Sequence, residues 1–477
     1  MQMISSGETK KTLFFLCILS LTLYVWGLYK ASGVIHPDEL FQILEPAHKI
    51  INGYGETTWE YVHGMRHIGV PIIASYLIRL NHFFGITNPL YIILVLDYLT
   101  VFTSISLVLV VYLAGRKYYS PNTGLYAALF TLFSPIILLY GTRFNPHLPA
   151  ALFLVLAFHL LSDEKNNKKI FLSGLFLGCS FFLRYTSLIL TPVFLWRIRG
   201  LRKKDKLFFL AGSAFPVFLV GLLDQMVWGV FLHSVLAQLN KNVLEGVSDL
   251  FGVEHALYYL LFLVLHLPAL YATLYCIKEP ERLPLTAFSG YLLVLSLIPH
   301  KELRFLIEAA PFFMLAAGRG LEVFSRNQPH PKIAAAGFLG LSLIFTVLTP
   351  SYYLGWGGDA VHQATYYVGT QKEAEALAYM DLFWWQGSGS HFLFTKPRPL
   401  VHVSDDPTFN PQLQRVNCSQ QKYKPQKTGF QCIPPKEFLQ SNIKYVLAAK
   451  NSTKNNLSTA GFTVEKNFGH IGVFTRP

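Results

Sequence analysis

Charge is scarce in this sequence: only 14% of its 477 residues are Asp, Glu, Lys or Arg, against 52% hydrophobic residues. That balance excludes an ordinary soluble globular protein. There is no Walker A loop, no dinucleotide fingerprint and no zinc-spaced set of Cys and His, so a soluble nucleotide donor and a structural metal have no support. Heptads and longer repeats are missing, as is a small-residue cleavage site after the first apolar stretch, so that stretch reads as a retained helix and not a signal peptide. The formal net charge is +13, but Lys and Arg stand in short blocks between apolar runs. Membrane loops look like this, whereas a nucleic-acid-binding face does not, and no nucleic acid partner is expected. Of five cysteines, Cys17, Cys179 and Cys276 lie within apolar runs as small hydrophobes. Cys418 and Cys432 lie in a polar C-terminal segment, where a bridge between them would stabilise by about 3 kcal/mol in an oxidising compartment; bridged and free states both remain open.

Apolar helix is what the sequence has in abundance. About 20 apolar residues span a bilayer core, and the first candidate is Thr12 to Tyr29, preceded by Lys10 and Lys11. Further candidates are residues 88–114, 122–140, 146–161, 169–183, 186–196, 207–229, 256–277, 284–299, 303–323 and 332–349, giving about eleven spans, of which the short 186–196 is a broken or re-entrant candidate. Residues 69–86 carry Arg79 and His82 and read as an interfacial amphipathic helix. With that segment lying on the membrane, Arg116 and Lys117, the Lys165–Lys169 and Arg197–Lys206 clusters, Lys278, Arg282 and Arg326 all fall on the cytoplasmic side. The N-terminus is then cytoplasmic. Residues 1–349 form a transmembrane module whose first exoplasmic loop is 31–87, and residues 350–477 form a small mixed α/β domain on the far side, with strand-like stretches at Tyr445–Ala448 and His470–Thr475.

The polar groups left on the far side owe nothing to orientation signals, and each needs a reason. His36-Pro37-Asp38-Glu39 follows the first helix, with Pro37 stiffening the turn. A carboxylate there can take a proton from a substrate hydroxyl while the substrate's lipid tail stays in the bilayer; the competing reading is a cap on an interfacial helix starting near Glu39. In the same loop, Thr58-Trp59-Glu60-Tyr61 precedes Arg66 and His67. Aromatics beside an acid and an arginine suit a sugar, and they also suit plain interface anchoring. His300-Lys301-Glu302-Leu303-Arg304-Phe305 puts three potential cations where positive charge is scarce, either as an anion site or as a headgroup belt. His300 and Arg304 share one face if a helix begins there. Arg143 and Arg184 map to far-side ends of spans, as phosphate ligands or headgroup contacts.

Together the motifs His36-Pro37-Asp38-Glu39, Thr58-Trp59-Glu60-Tyr61 and His300-Lys301-Glu302-Leu303-Arg304-Phe305 resemble glycosyltransferase family 22, the polyprenyl-phosphate-mannose-dependent mannosyltransferases. Its members include enzymes of glycosylphosphatidylinositol (GPI) anchor synthesis and ALG-type enzymes of the N-glycan lipid precursor. Members usually read Trp-Glu-Trp where Tyr61 stands, and Arg-Ser in place of Arg66-His67. The resemblance implies an α-helical integral membrane protein of the GT-C type, acting as an inverting mannosyltransferase on a polyprenyl-phosphate-linked sugar donor and a glycolipid acceptor among membrane lipids. It implies Asp38 as catalytic base with Glu39 as a supporting or alternative catalytic carboxylate. On this scheme His300, Lys301 and Arg304, then Arg143 and Arg184, bind the donor phosphate, while His36, Trp59, Glu60 and Arg66 orient sugar or acceptor. No metal or cofactor is expected. The expected location is the endoplasmic reticulum membrane with a lumenal site, or a bacterial inner membrane with a periplasmic one. Asn417, Asn451 and Asn456 open glycosylation sequons compatible with a lumenal domain. A multi-spanning lipid or sugar transporter is the alternative, opposed by the lack of an internal repeat and by charges gathered at one face.

Overall fold

The computed structural model describes residues 6–30, 34, 36–161, 166–349, 359–380, 382, 390–404, 424, 429–449, 457–458 and 460–477. Two compact units divide the chain: Met1–Lys30 with Asp97–Ser351, and Ala31–Leu96 with Tyr352–Pro477.

The first unit is helical. Among the described residues, Gly7–Tyr29, Pro89–Tyr118, Lys203–Trp228 and Pro331–Leu348 are long and apolar enough to cross a membrane, the second of them starting in the other unit. His147–Leu161, Tyr185–Ile198 and Leu283–Ser296 are shorter apolar helices. Several of the runs that look continuous in sequence are interrupted. Residues 122–140 divide into Pro121–Leu132 and Pro135–Tyr140, because Ser134 caps the second piece by accepting the N–H of Ile137 and Pro135 opens it. Residues 256–277 bend by 98° between Ala256–Leu265 and Leu267–Cys276. Pro268 has no N–H to continue the ladder, and His266 fills the gap, its Nδ1 2.7 Å from the Phe262 carbonyl and its Nε2 2.7 Å from Ser134 Oγ. Residues 186–196 fall within a 3-10 turn, Tyr185–Leu190, followed by the helix Thr191–Ile198.

Helix Asn167–Leu183 packs against Lys203–Trp228 with almost no side-chain spacer. A Cβ at Gly174 would overlap the Phe209 carbonyl, and one at Gly212 would overlap that of Phe171. Small residues at such a crossing let backbones approach, since lipid supplies no hydrophobic drive between helices.

The second unit holds a six-stranded sheet. Its strands are β1 (Leu377–Met380), β2 (Pro399–Val403), β3 (Gly429–Ile433), β4 (Tyr445–Ala449), β5 (Thr463–Phe468) and β6 (Ile471–Thr475), in the order β3-β2-β1-β4-β6-β5. The first four strands are parallel and the β5–β6 hairpin is antiparallel. Alternation sends Leu377, Tyr379, Leu400 and Leu447 into one apolar layer and Ala378, Val401, Val446 and Phe474 into another. Both faces are therefore buried, as a parallel sheet requires. The expected strands near Tyr445 and His470 are β4 and β6. Cys432 on β3 is disulfide-bonded; Cys418 and the three sequon asparagines lie outside the described residues.

The same unit contains the acidic segment and a buried carboxylate that ties it to distant chain. Glu45 is fully buried. One of its oxygens accepts the N–H groups of Glu56 (2.8 Å) and His391 (3.1 Å), and the other accepts Ser390 Oγ (2.9 Å) and the Phe392 N–H (2.9 Å). Burial pushes its pKa up, but His391, His48 and the Glu56 N–H outweigh this and hold it at about 2. Glu45→Gln turns an NH₂ group against donors that need an acceptor, so apparent thermal stability in detergent should fall, by roughly 2–4 kcal/mol. An unchanged melting temperature would refute the tie. Because the folded pKa lies below the ordinary carboxylate value, the stabilisation is present above about pH 4.5 and is lost as pH falls toward 2.

Candidate active site

In the second unit, the acidic motif opens the π-helical turn Glu39–Leu44, which continues into Glu45–Asn52. Its two carboxylates differ in environment. Glu39 is buried and turns back to accept the His36 N–H at 2.9 Å. The Asp38 side chain is 23% exposed, and its backbone N–H donates to His36 Nδ1 at 3.2 Å. Asp38 sits at the N-cap position without capping through its side chain, and Glu39 folds inward onto the His36 N–H.

Trp59, Glu60 and Tyr61 lie in the short helix Trp59–Val62. Glu60 is buried and accepts Gln42 Nε2 at 2.7 Å, while Tyr61 OH donates to the Gln42 carbonyl at 2.8 Å. Trp59 stands edge-on to His63, with ring centroids 6.4 Å apart. Burial pushes the Glu60 carboxyl up to about 7, opposed by Arg66 and reinforced by the negative charge of Asp38. Arg66 is half-buried, and its Nε has no hydrogen-bond partner. A folded pKa raised this far favours folding below the ordinary carboxylate range, and that contribution is lost as pH climbs through 7. Gln mimics the neutral acid, so Glu60→Gln should match the wild type in transfer assays at pH 6 and lack a step near pH 7 that the wild-type profile shows. Parallel profiles across that range would show that Glu60 does not titrate there.

In the first unit, no helix begins at His300, so the condition for His300 and Arg304 to share a helical face is not met. His300 and Lys301 are in non-helical chain, Glu302 is extended, and only a 3-10 turn, Leu303–Leu306, precedes the helix Ala310–Arg326. What joins His300 and Arg304 is Glu302. Its carboxylate takes Arg304 Nε at 2.7 Å and Nη2 at 2.9 Å, and lies 3.1 Å from His300 Nε2. The other His300 nitrogen is 2.9 Å from the Gly252 carbonyl. Burial opposes protonation of His300, but Glu302 and that carbonyl prevail, and its pKa is raised. Lys301 is buried with its ammonium on the carbonyls of Ile298 (2.6 Å), Glu254 (2.9 Å) and Pro299 (3.3 Å). Three donors meet three carbonyls, which ties Lys301 to the loop it stands in.

Arg143 and Arg184 are also buried. Arg143 Nη1 donates to Asp97 at 3.0 Å, while its Nε and Nη2 have no partner. Arg184 Nε donates at 3.1 Å to Glu308, which also accepts His147 Nδ1 at 3.0 Å and Tyr291 OH at 3.2 Å. Phe305 brings two of the cations together: the Arg304 Cζ is 5.3 Å and the Arg184 Cζ 5.9 Å from its ring centroid. Asp97 and Glu308 were not among the residues expected from the sequence, although each is a lone acid inside an apolar run, which is the usual mark of function or of a cation partner. Among the described residues, no group of three or more His, Cys, Asp and Glu is placed to hold a metal ion.

Apolar helices and a small sheet in one chain are also found in solved multi-spanning GT-C membrane glycosyltransferases. ArnT from Cupriavidus metallidurans, solved bound to undecaprenyl phosphate, matches 97% of this chain and 97% of its own at a TM-score of 0.60 and 11% identity. The archaeal oligosaccharyltransferase AglB from Archaeoglobus fulgidus, solved with an inhibitory peptide and a dolichol-phosphate, matches 98% of this chain and 74% of its own at a TM-score of 0.54 and 12% identity. The fold is that of these membrane glycosyltransferases.

Residues 12–375 match the Alg9-like mannosyltransferase family, and the chain belongs to it. GPI mannosyltransferase 3 of Yarrowia lipolytica is 25% identical over 72% of this chain and 68% of its own length. The alpha-1,2-mannosyltransferase ALG9 of Arabidopsis thaliana is 29% identical over 63% of this chain and 55% of its own. The human GPI alpha-1,2-mannosyltransferase 3 is 24% identical over 70% and 61%. The chain thus spans between about half and two thirds of the length of these relatives. Family and relatives are transferases, which disfavours the transporter alternative.

Proposed function

We infer that this chain is an inverting mannosyltransferase that moves mannose from dolichyl-phosphate or a related polyprenyl phosphate to a glycolipid, such as a GPI-anchor precursor or a lipid-linked oligosaccharide. The observation that carries this is the family match over residues 12–375, which contains both the acidic segment and the cation-rich segment. Asp38 takes the proton of the acceptor hydroxyl as that oxygen attacks the anomeric carbon. The carbon–oxygen bond to the lipid phosphate breaks, configuration inverts, and the phosphate leaves with its charge compensated by Arg304, His300, Arg184 and Arg143. Glu39 supports the turn. His36, Trp59, Glu60 and Arg66 orient sugar and acceptor, and Lys301 adds positive field. General base catalysis contributes only about 10²- to 10⁴-fold, so positioning and electrostatic compensation of the departing phosphate must supply most of the acceleration.

The eukaryotic relatives favour the endoplasmic reticulum membrane over a bacterial inner membrane, and with the positive blocks on the cytoplasmic side we propose about eleven spans, a lumenal active site and a lumenal domain at 350–477. The purified chain in detergent should transfer radiolabelled mannose from dolichyl-phosphate mannose to a mannosylated GPI precursor or to a lipid-linked oligosaccharide. Failure with both acceptors, alongside an active relative as control, would overturn the reading.

A further inference from the structure

We propose that Glu308 is a positioning residue for the donor phosphate, one buried carboxylate that aims Arg184 and steadies the turn carrying Arg143. The proposal rests on the phosphate-binding role given to those arginines above.

Glu308 follows the 3-10 turn that carries Arg304 and Phe305 and precedes the helix Ala310–Arg326. It is fully buried, and its three donors come from three separate elements: His147 opens the helix His147–Leu161, Arg184 ends Asn167–Leu183, and Tyr291 lies in Leu283–Ser296. An isolated carboxylate in such a place is costly, and only Arg184 among these donors carries a permanent positive charge. The grip on Arg184 is through Nε. That is the nitrogen nearest the chain, and holding it fixes the plane of the guanidinium. Arg184 and Arg304 flank the same ring, so their positive charges oppose each other's approach, and each is compensated by its own carboxylate, Glu308 for one and Glu302 for the other.

The second branch runs through His147. Its backbone N–H donates to Asn145 Oδ1 at 3.0 Å, and the Asn145 side-chain amide donates to the carbonyls of Arg143 (2.6 Å) and Tyr140 (2.9 Å). Asp97 completes that turn by accepting both Arg143 Nη1 and the Phe144 N–H. Loss of Glu308 would therefore free the plane of one arginine and slacken the loop of another, while leaving their charges in place. A phosphate is recognised by donor geometry as well as by charge, so the defect should concern the donor lipid and not the acceptor.

The test uses the full chain in detergent, with dolichyl phosphate as binding probe and donor and acceptor kinetics measured separately. Glu308→Gln and Arg184→Lys should each weaken dolichyl phosphate binding and raise donor KM at least tenfold, with acceptor KM unchanged. Combining them should add less than twofold, as expected of two changes acting through one contact. Glu308→Asp should recover affinity to within threefold of the wild type. If Glu308→Gln lowers only the active fraction and leaves the affinity of the remainder intact, Glu308 is a structural hub and the proposal falls. If Glu308→Gln does not fold, Arg184→Lys decides: it keeps the charge but loses the Nε–H that Glu308 holds, and wild-type affinity in it overturns the proposal. Arg184→Ala with undiminished affinity would instead remove Arg184 from the phosphate site, a failure of the underlying reading.

Discussion

Asp38→Asn should reduce mannosyl transfer about 10²- to 10⁴-fold while leaving expression, detergent stability and donor binding near wild type. Asparagine has the size of aspartate but cannot accept a proton at neutral pH. The turn is held by the Glu39 carboxylate on the His36 N–H and by the Asp38 N–H on His36 Nδ1, and asparagine keeps an oxygen where the Asp38 carboxylate lies 3.6 Å from His36 Nδ1. Glu39→Gln is the internal control. Its remaining carbonyl still accepts the His36 N–H, so transfer should stay within about tenfold of the wild type. A measured kcat for Asp38→Asn within tenfold of the wild type would remove it from the base role. Equal losses in the two variants would mean that the motif acts through its fold alone.

Features local in sequence were the readable ones. The apolarity of the helices, the strands at Tyr445–Ala449 and Ile471–Thr475, and the three motifs all follow from side-chain type at short spacing. The helix breaks were harder, because Ser134-Pro135 and Pro268 lie inside runs whose average hydropathy looks uninterrupted. The arrangement of the cations is hard to read for a related reason. Spacing of four suggested a helical face for His300 and Arg304, but Lys301 draws the Ile298 and Pro299 carbonyls onto its ammonium, and helix geometry starts only at Leu303. Glu45 was beyond reach, since its partners at 390–392 lie about 345 positions away and nothing in composition announces them. Glu308 and Asp97 were within reach. Each is an isolated acid in an apolar segment, and a buried acid in a membrane needs a cation; the arginines at the far-side ends of spans were the candidates already in view.

Arg304→Ala should weaken donor and dolichyl phosphate binding about a hundredfold, and about half of that loss in free energy should be recoverable by a second substitution. Arg304 presents Nε and Nη2 as a fork to Glu302, and His300 approaches the same carboxylate. This is the donor set that a phosphate would use, so Glu302 holds the cations in position before the donor arrives and competes with it afterwards. Deleting the guanidinium removes an attraction and also leaves Glu302 with His300 as its cationic partner, facing an incoming anion. Truncating one member of a buried charge pair typically costs about 2–5 kcal/mol, much of it from the charge left behind. The double variant Arg304→Ala with Glu302→Gln removes that stranded charge and should regain about tenfold in affinity over Arg304→Ala alone. Glu302→Gln by itself should bind dolichyl phosphate more tightly than the wild type and turn over more slowly, because product leaves less readily. The sign of these two effects separates competition from simple support: a double variant as weak as the single one, with Glu302→Gln also weakened, would make Glu302 only a brace for Arg304.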